Sequence, residues 1–247
     1  MWMGEVVHHA IENALKHYQT TREMPTESFL TQITQRMRRE FRESRNGIYR
    51  DRPGKVLGLA EHEFKREISD EKWAEIHDGA RRCFTNFANI IFPRLVKPVP
   101  VEKWKLIETM QTFSFEGSMI YVKIDFAFED SHGILKIVDW KTGKAEDVDN
   151  EIQLDCYGLF SKEFFKIPTE SIETVECNVN NSRETTRKMI EAKMDFAKHY
   201  IRNSIAAMKR VLVNEDKNEA REEDFSYTEN EATCRFCNFK PVCQKWV

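Results

Sequence analysis

Apolar residues recur at helical spacing over roughly the first hundred positions, then at every second position over the next forty. Val7, Ile11, Ala14 and Tyr18 form a stripe that predicts a helix over 4–20. Pro25-Thr26 opens a second helix, with Thr26 as its N-cap and Phe29, Ile33, Met37 and Phe41 on one face. After the break at Arg52-Pro53-Gly54, a third helix from Asp70 to about Phe92 buries Trp73, Ile76, Ala80, Phe84 and Phe87. Pro93, Pro98 and Pro100 end it.

From about Trp104 the period becomes two, which predicts strands near 105–115, 118–128 and 134–141. Glu116-Gly117 and Ser131-His132-Gly133 supply the turns. A helix from about Asp149 to Phe164, a short strand at 171–179 and a long helix from Arg183 to Val213 follow. The acid-rich stretch 215–224 reads as a solvated linker before a cysteine-rich tail over 225–247. Helices, three antiparallel strands, helix, strand and helix describe an α/β fold: a central mixed sheet flanked by helices, in a domain over 1–214 with a helical insertion at about 21–100.

Hydrophobic residues at 40% and charged residues at 32% exclude wholesale disorder. No run approaches the roughly 18 apolar residues of a membrane span. Met1 to Leu15 carries Glu5, His8, His9 and Glu12, so it does not read as a signal peptide, and a soluble cytoplasmic protein is expected. The net charge of −3 conceals segregation. Residues 31–60 hold eight Lys or Arg against three acids, a local +5 that leaves −8 elsewhere. The arginines of the second helix, Arg38 and Arg42 among them, are either a solvated face or contacts for the phosphates of a nucleic-acid strand.

The chemistry concentrates where two strands meet. Ile120, Val122, Ile124, Phe126 and Phe128 are apolar, and Tyr121, Lys123, Asp125 and Ala127 make the opposite, mostly polar face. A three-residue loop symmetric about His132, with glycine at its last position, places Asp125 opposite Asp139, or one residue off if Gly133 forms a bulge. Facing carboxylates repel, so a cation belongs between them. Lys141 points to the same face about 7 Å further along the strand. Two acids and a lysine suit a hard divalent ion whose remaining positions are left to water and phosphate. The plainer alternative is an edge salt bridge between Asp139 and Lys141. His8 is turned inward by Ile11, Glu12 and Leu15, whereas His9 lies on a wetter face with Asn13 and Lys16.

In order along the chain, Gly4-Glu-Val-Val-His8, Ile124-Asp125, Ile137-Val-Asp-Trp-Lys-Thr-Gly143 and Gln153-Leu-Asp-Cys-Tyr157 resemble the motif series of RecB-like nucleases in the PD-(D/E)XK superfamily. The resemblance implies a restriction-endonuclease-like core and Mg2+- or Mn2+-dependent hydrolysis of DNA phosphodiesters, by an exonuclease more than by a site-specific endonuclease. It implies His8, Asp125, Asp139 and the carbonyl of Trp140 as metal ligands and Lys141 as the catalytic lysine. Gln153 and Tyr157, one helical turn apart, would place the DNA strand. Repair, recombination and defence are the settings it suggests, with a helicase or other nuclease-complex subunit as partner. The rivals are a DNA-binding subunit whose active site is retired, and an iron–sulfur or zinc module of a helicase–nuclease assembly that is active only with its partners.

Of six cysteines, Cys83, Cys156 and Cys177 are scattered, and Cys234-x2-Cys237-x5-Cys243, with Phe236, Phe239 and Pro241, has ligation spacing. This triplet is similar to that of iron–sulfur RecB-like nucleases, the group containing AddB-type and CRISPR-associated exonucleases, and implies a [4Fe–4S] cluster. That group's fourth cysteine usually precedes the glycine–histidine helix, and here no cysteine precedes His8. Three explanations stay open: a ligand upstream of this start, substitution by Cys83, Cys156 or Cys177, or a site that takes zinc or nothing.

Overall fold

The computed structural model describes residues 2–143, 151–235, 237 and 239–245; Asp149 and Phe236 lie outside them. Each apolar stripe becomes a buried helix face. Helix α1 (Trp2–Thr21) buries Val6, Val7, Ala10, Ile11, Ala14 and Leu15. Helix α2 (Thr26–Arg45) buries Phe29, Leu30, Ile33 and Met37, leaving Phe41 half-buried. Thr26 is not the N-cap. Pro25 holds that position, and Thr26 is the first helical residue, its hydroxyl turned back to Met24 O. Single-turn helices α3 (Ile48–Asp51) and α4 (Ala60–Glu63) lead to α5 (Asp70–Asn86), which Ser69 caps through its Oγ and the Lys72 N–H.

The proline expected to end the third helix does not. After Asn86 the chain widens into a π-helix over Phe87–Val96 with Pro93 inside it, and Lys97 N–H donates to Phe92 O five residues back. The wider winding moves away the carbonyl that a proline ring would meet in an α-helix. The apolar run Phe87, Ala88, Ile91, Phe92 and Val96, all buried, fixes the segment against the core.

Strands β1 (Trp104–Phe115), β2 (Ser118–Glu129), β3 (Leu135–Lys141), β4 (Ile172–Asn178) and β5 (Arg183–Lys188) form one mixed sheet in that order. Only the β3–β4 pair is parallel, and α6 (Glu151–Phe165) is the crossover between them. Phe126, Phe128, Val138, Trp140, Val175 and Cys177 join α1, α2 and α5 in one core. Helix α6 packs on the sheet with Leu154, Leu159 and Phe160 buried; Phe160 meets Phe113 of β1 at 6.0 Å.

The long helix expected from Arg183 is two elements. Residues 183–188 are the edge strand β5, and α7 begins only at Glu191 and runs to Lys209. Arg-Glu-Thr-Thr-Arg-Lys contains no apolar residue to reveal a period. Its conformation comes from backbone bonds to β4 and two β-branched threonines, and its charges suit an exposed sheet edge.

Met1–Lys198 and His199–Val247 are two compact units. In the second, Leu212–Asn214 (β6) pairs with Glu219–Ala220 (β7), so the acid-rich stretch contributes a strand of its own, exposed throughout. The short helix α8 (Glu231–Arg235) follows. No described helix is long and apolar enough to cross a membrane.

Candidate active site

The β2–β3 register turns about His132, as the loop predicts: Phe126 pairs with Val138 and Ala127 with Ile137. Gly133 adopts φ 77, the left-handed conformation that closes the hairpin. The ladder ends at Phe126–Val138, and one residue on the strands part. Asp125 Oδ2 takes the Trp140 N–H at 2.7 Å, a donor that a continued ladder would have used. The N–H and C=O of a strand residue point the same way, so the Trp140 carbonyl also faces this gap. Trp140's side chain goes to the helical core, 1% exposed, against Phe87 at 5.4 Å and Phe126 at 6.4 Å. Alternation then sets Asp139 and Lys141 on the other face.

Asp125 has an acidic neighbour that the sequence reading missed. Ile107 pairs with Phe126 and Thr109 with Ile124, which leaves Glu108 across from Asp125. Glu108 has φ 45, a conformation that costs a residue with a Cβ about 1–3 kcal/mol and persists only where the surroundings enforce it. They do: its side chain is 1% exposed, with Oε1 3.1 Å from His8 Nδ1 and Oε2 2.7 Å from Lys123 Nζ. The signal was present. The Glu116-Gly117 turn sets the β1–β2 register as the His132 loop sets the next, and carrying that register to position 125 finds Glu108.

His8 Nδ1 lies 3.3 Å from Asp125 Oδ1, so the inward histidine of α1 reaches the sheet. His9 is exposed and bonds to Asn13. The helix approaches closely because Gly4, one turn before His8, abuts Thr142; a Cβ there would stand 3.1 Å from its Oγ1. Donor atoms of His8, Glu108 and Asp125 all lie within 4.8 Å of one another. Imidazole and carboxylate oxygens at that spacing fit a divalent metal ion. Asp139 stands beside them, and its Oδ2 is 2.8 Å from Lys141 Nζ.

The electrostatics agree with a place built for a cation. Burial opposes a charge on His8, but hydrogen bonds to Asp125 and Glu108 outweigh it and raise the imidazole to about 10. Burial and then the charge of Asp125 push Asp139 up to about 6, with Lys141 and His8 pulling the other way. Glu108 is held below the usual carboxylate range: burial works against ionisation, and the bonds from His8 and Lys123 prevail.

Gln153 and Tyr157 share one face of α6 beside the lysine. Lys141 Nζ donates to Gln153 Oε1 at 3.0 Å, Gln153 Nε2 to the Tyr157 hydroxyl at 2.7 Å, and that hydroxyl to Lys123 O at 2.7 Å. Tyr157 is buried, and burial followed by the charges of Asp139 and Asp125 keeps its hydroxyl protonated. Arg38 and Arg42 are exposed on α2 and make none of these contacts.

Cys234, Cys237 and Cys243 all carry free thiols, Cys234 buried and the others half-buried. Among the described residues, they do not gather to within 4.8 Å as the His8 group does. Cys83 and Cys177 are fully buried in the core of the first unit, and Cys156 is half-buried on α6.

No curated protein matches the chain by sequence. A solved structure titled "Crystal structure of SSO0001" is similar over 76% of this chain and 79% of its own, at 12% identity and a TM-score of 0.36. The family model of the PD-(D/E)XK nuclease superfamily matches residues 1–244. With nearly the whole chain matched, and a mixed five-stranded sheet flanked by helices beneath it, this protein belongs to the PD-(D/E)XK nuclease superfamily.

Proposed function

We propose that the chain is a Mg2+- or Mn2+-dependent deoxyribonuclease, with His8, Glu108, Asp125 and Asp139 holding the ion and Lys141 acting on the phosphate. The observation that carries this is the convergence of three metal-donor side chains beside the Asp139–Lys141 pair, where β2 and β3 part. When bound, a divalent ion supplies Lewis acidity and lowers the pKa of water. Lys141 places a fixed cation where charge develops on the phosphate. Gln153, braced by Tyr157 against the β2 backbone, holds that ammonium in place, and its exposed part is available to the strand. The carbonyl of Trp140 is a further oxygen donor on the same gap.

DNA as substrate, digestion from an end and membership of the RecB-like group rest on the motif order from Gly4 to Tyr157. On that reading residues 1–214 are the nuclease domain, and a helicase is a fitting partner. Purified protein with end-labelled DNA tests the proposal: cleavage with Mn2+, none with chelator, and none by Asp139→Ala. Equal activity of wild type and Asp139→Ala would sink it. The cysteine spacing supports a ligation site in the tail, for which a [4Fe–4S] cluster is the reading and zinc the rival. Iron, sulfide and zinc analysis of the purified chain separates the two.

Ion binding must displace the proton from His8. Because that imidazole is raised to about 10, affinity for Mn2+ is expected to rise by about tenfold per pH unit between pH 7 and 9, as one proton leaves per ion. Calorimetry in buffers of different ionisation enthalpy counts that proton, and a pH-independent affinity contradicts the assignment of His8. Without metal the sign is opposite. The raised imidazole stabilises the fold fully below the ordinary histidine pKa, and the contribution is lost as pH rises through about 10.

A further inference from the structure

A cleft of about 440 Å³ opens between α1, α2 and α5, outside the acidic cluster. Its walls include Trp2, Phe41 and Trp73 together with Arg38, Arg42 and Arg45. The arginines follow one stripe of α2, three and four residues apart, spanning about 10 Å. Among the described residues none of the three forms an ion pair, whereas Arg36 on the same helix is neutralised by Glu5 and Glu40. The rings are fixed. Trp73 meets Trp2 at 6.0 Å and Phe41 at 4.6 Å, both near perpendicular, and the Trp2 indole N–H is anchored on Glu40 Oε2 at 2.6 Å. His62 stacks on Trp73 at 5.6 Å and 27°, so one face of that indole is taken, and the part of the ring that lines the cleft is what a base can meet. Trp2, Phe41 and Trp73 are all only half-buried.

Half-buried aromatic rings beside three arginines that outnumber the one acid in the wall, Asp70, match the two parts of an unpaired nucleotide: a flat base to stack and a phosphate to neutralise. We propose that this cleft binds single-stranded DNA, one unstacked base lying against Trp73 and the adjoining phosphates running along Arg38, Arg42 and Arg45. A duplex does not fit, because its bases are already stacked on each other. Three arginines in a row exceed what one mononucleotide phosphate requires. Trp2, in its wall, lies on the same helix as His8, six residues earlier and about 9 Å along the axis. This inference deepens the nuclease reading and rests on it for the choice of DNA.

The test is binding without cleavage, in chelator, with an eight-nucleotide oligothymidylate read by tryptophan fluorescence and by anisotropy of a labelled copy. The oligomer should quench the fluorescence. Trp73→Ala and Arg42→Glu should each weaken binding by about fivefold to 150-fold, and Trp73→Phe, which keeps a ring, should stay close to wild type. Arg42 is exposed, so its substitution carries the test if Trp73→Ala fails to fold. An unchanged affinity in Arg42→Glu or in folded Trp73→Ala overturns the proposal. So does an abasic octamer that binds as tightly, a blunt duplex that quenches as strongly, or thymidine monophosphate that matches the oligomer. Loss of the nuclease reading looks different: Asp139→Ala cleaves as well as wild type while the quench remains.

Discussion

Lys141→Ala is expected to lower the rate of Mn2+-dependent DNA cleavage by about 10²- to 10³-fold, the usual effect of removing one preorganised charge from a developing anion. The lysine is held by two bonds, to Asp139 Oδ2 at 2.8 Å and to Gln153 Oε1 at 3.0 Å, so its ammonium has a fixed position before substrate arrives. Its removal takes away a counter-charge from Asp139, which burial and Asp125 already push up to about 6. Deletion should therefore also move the pH profile, the low-pH limb shifting upward as Asp139 becomes easier to protonate. Metal affinity at pH 8 should fall little, because His8, Glu108 and Asp125 are untouched. Single-turnover cleavage against Mn2+ concentration checks this. A variant that cuts at the wild-type rate would leave Lys141 as only the partner of an edge salt bridge.

Trp140→Ala is expected to destabilise the first unit by about 3–5 kcal/mol, the range for deleting a large buried aromatic. Among the described residues Trp140 is the largest of the fully buried side chains, and it packs on Phe87 and Phe126, joining the sheet to the π-helical segment. The substitution empties that contact while leaving its backbone N–H to Asp125 in place. Chemical denaturation followed by fluorescence or circular dichroism measures the loss. A cost below about 1 kcal/mol would mean that the pocket collapses around the alanine. The residue between Asp139 and Lys141 thus secures the strand that presents both side chains.

Much of this was legible before the structure. The alternation of β2 and the glycine of the His132 loop set the register, though the paired ladder stops at Phe126 and Val138, one residue short of Asp125 and Asp139. The stripe on α1 turned His8 inward. Glu108 escaped because it interrupts an apolar strand and contributes no motif; only its register position reveals it. The edge strand β5 escaped for a different reason: a strand with no buried face has no hydrophobic period to read. Pro93 misled because a local rule about α-helices yielded to apolar contacts that a π-helix could keep. Roles for Arg38, Arg42 and Arg45 were ambiguous in sequence, since an arginine stripe reads alike whether solvated or facing rings from two other helices.

Glu108 and His8 meet across 100 residues of chain, and neither shares a local segment with Asp125 or Asp139. No fragment of this unit shorter than the span from α1 to β3 contains the donor set, so the unfolded chain offers an ion only scattered, weak ligands. An ion that binds the native state alone adds stability by mass action, about 2.7 kcal/mol at a hundredfold excess over its dissociation constant. On the proposed reading, the ion is thus a thermodynamic lock on the topology that assembles its ligands.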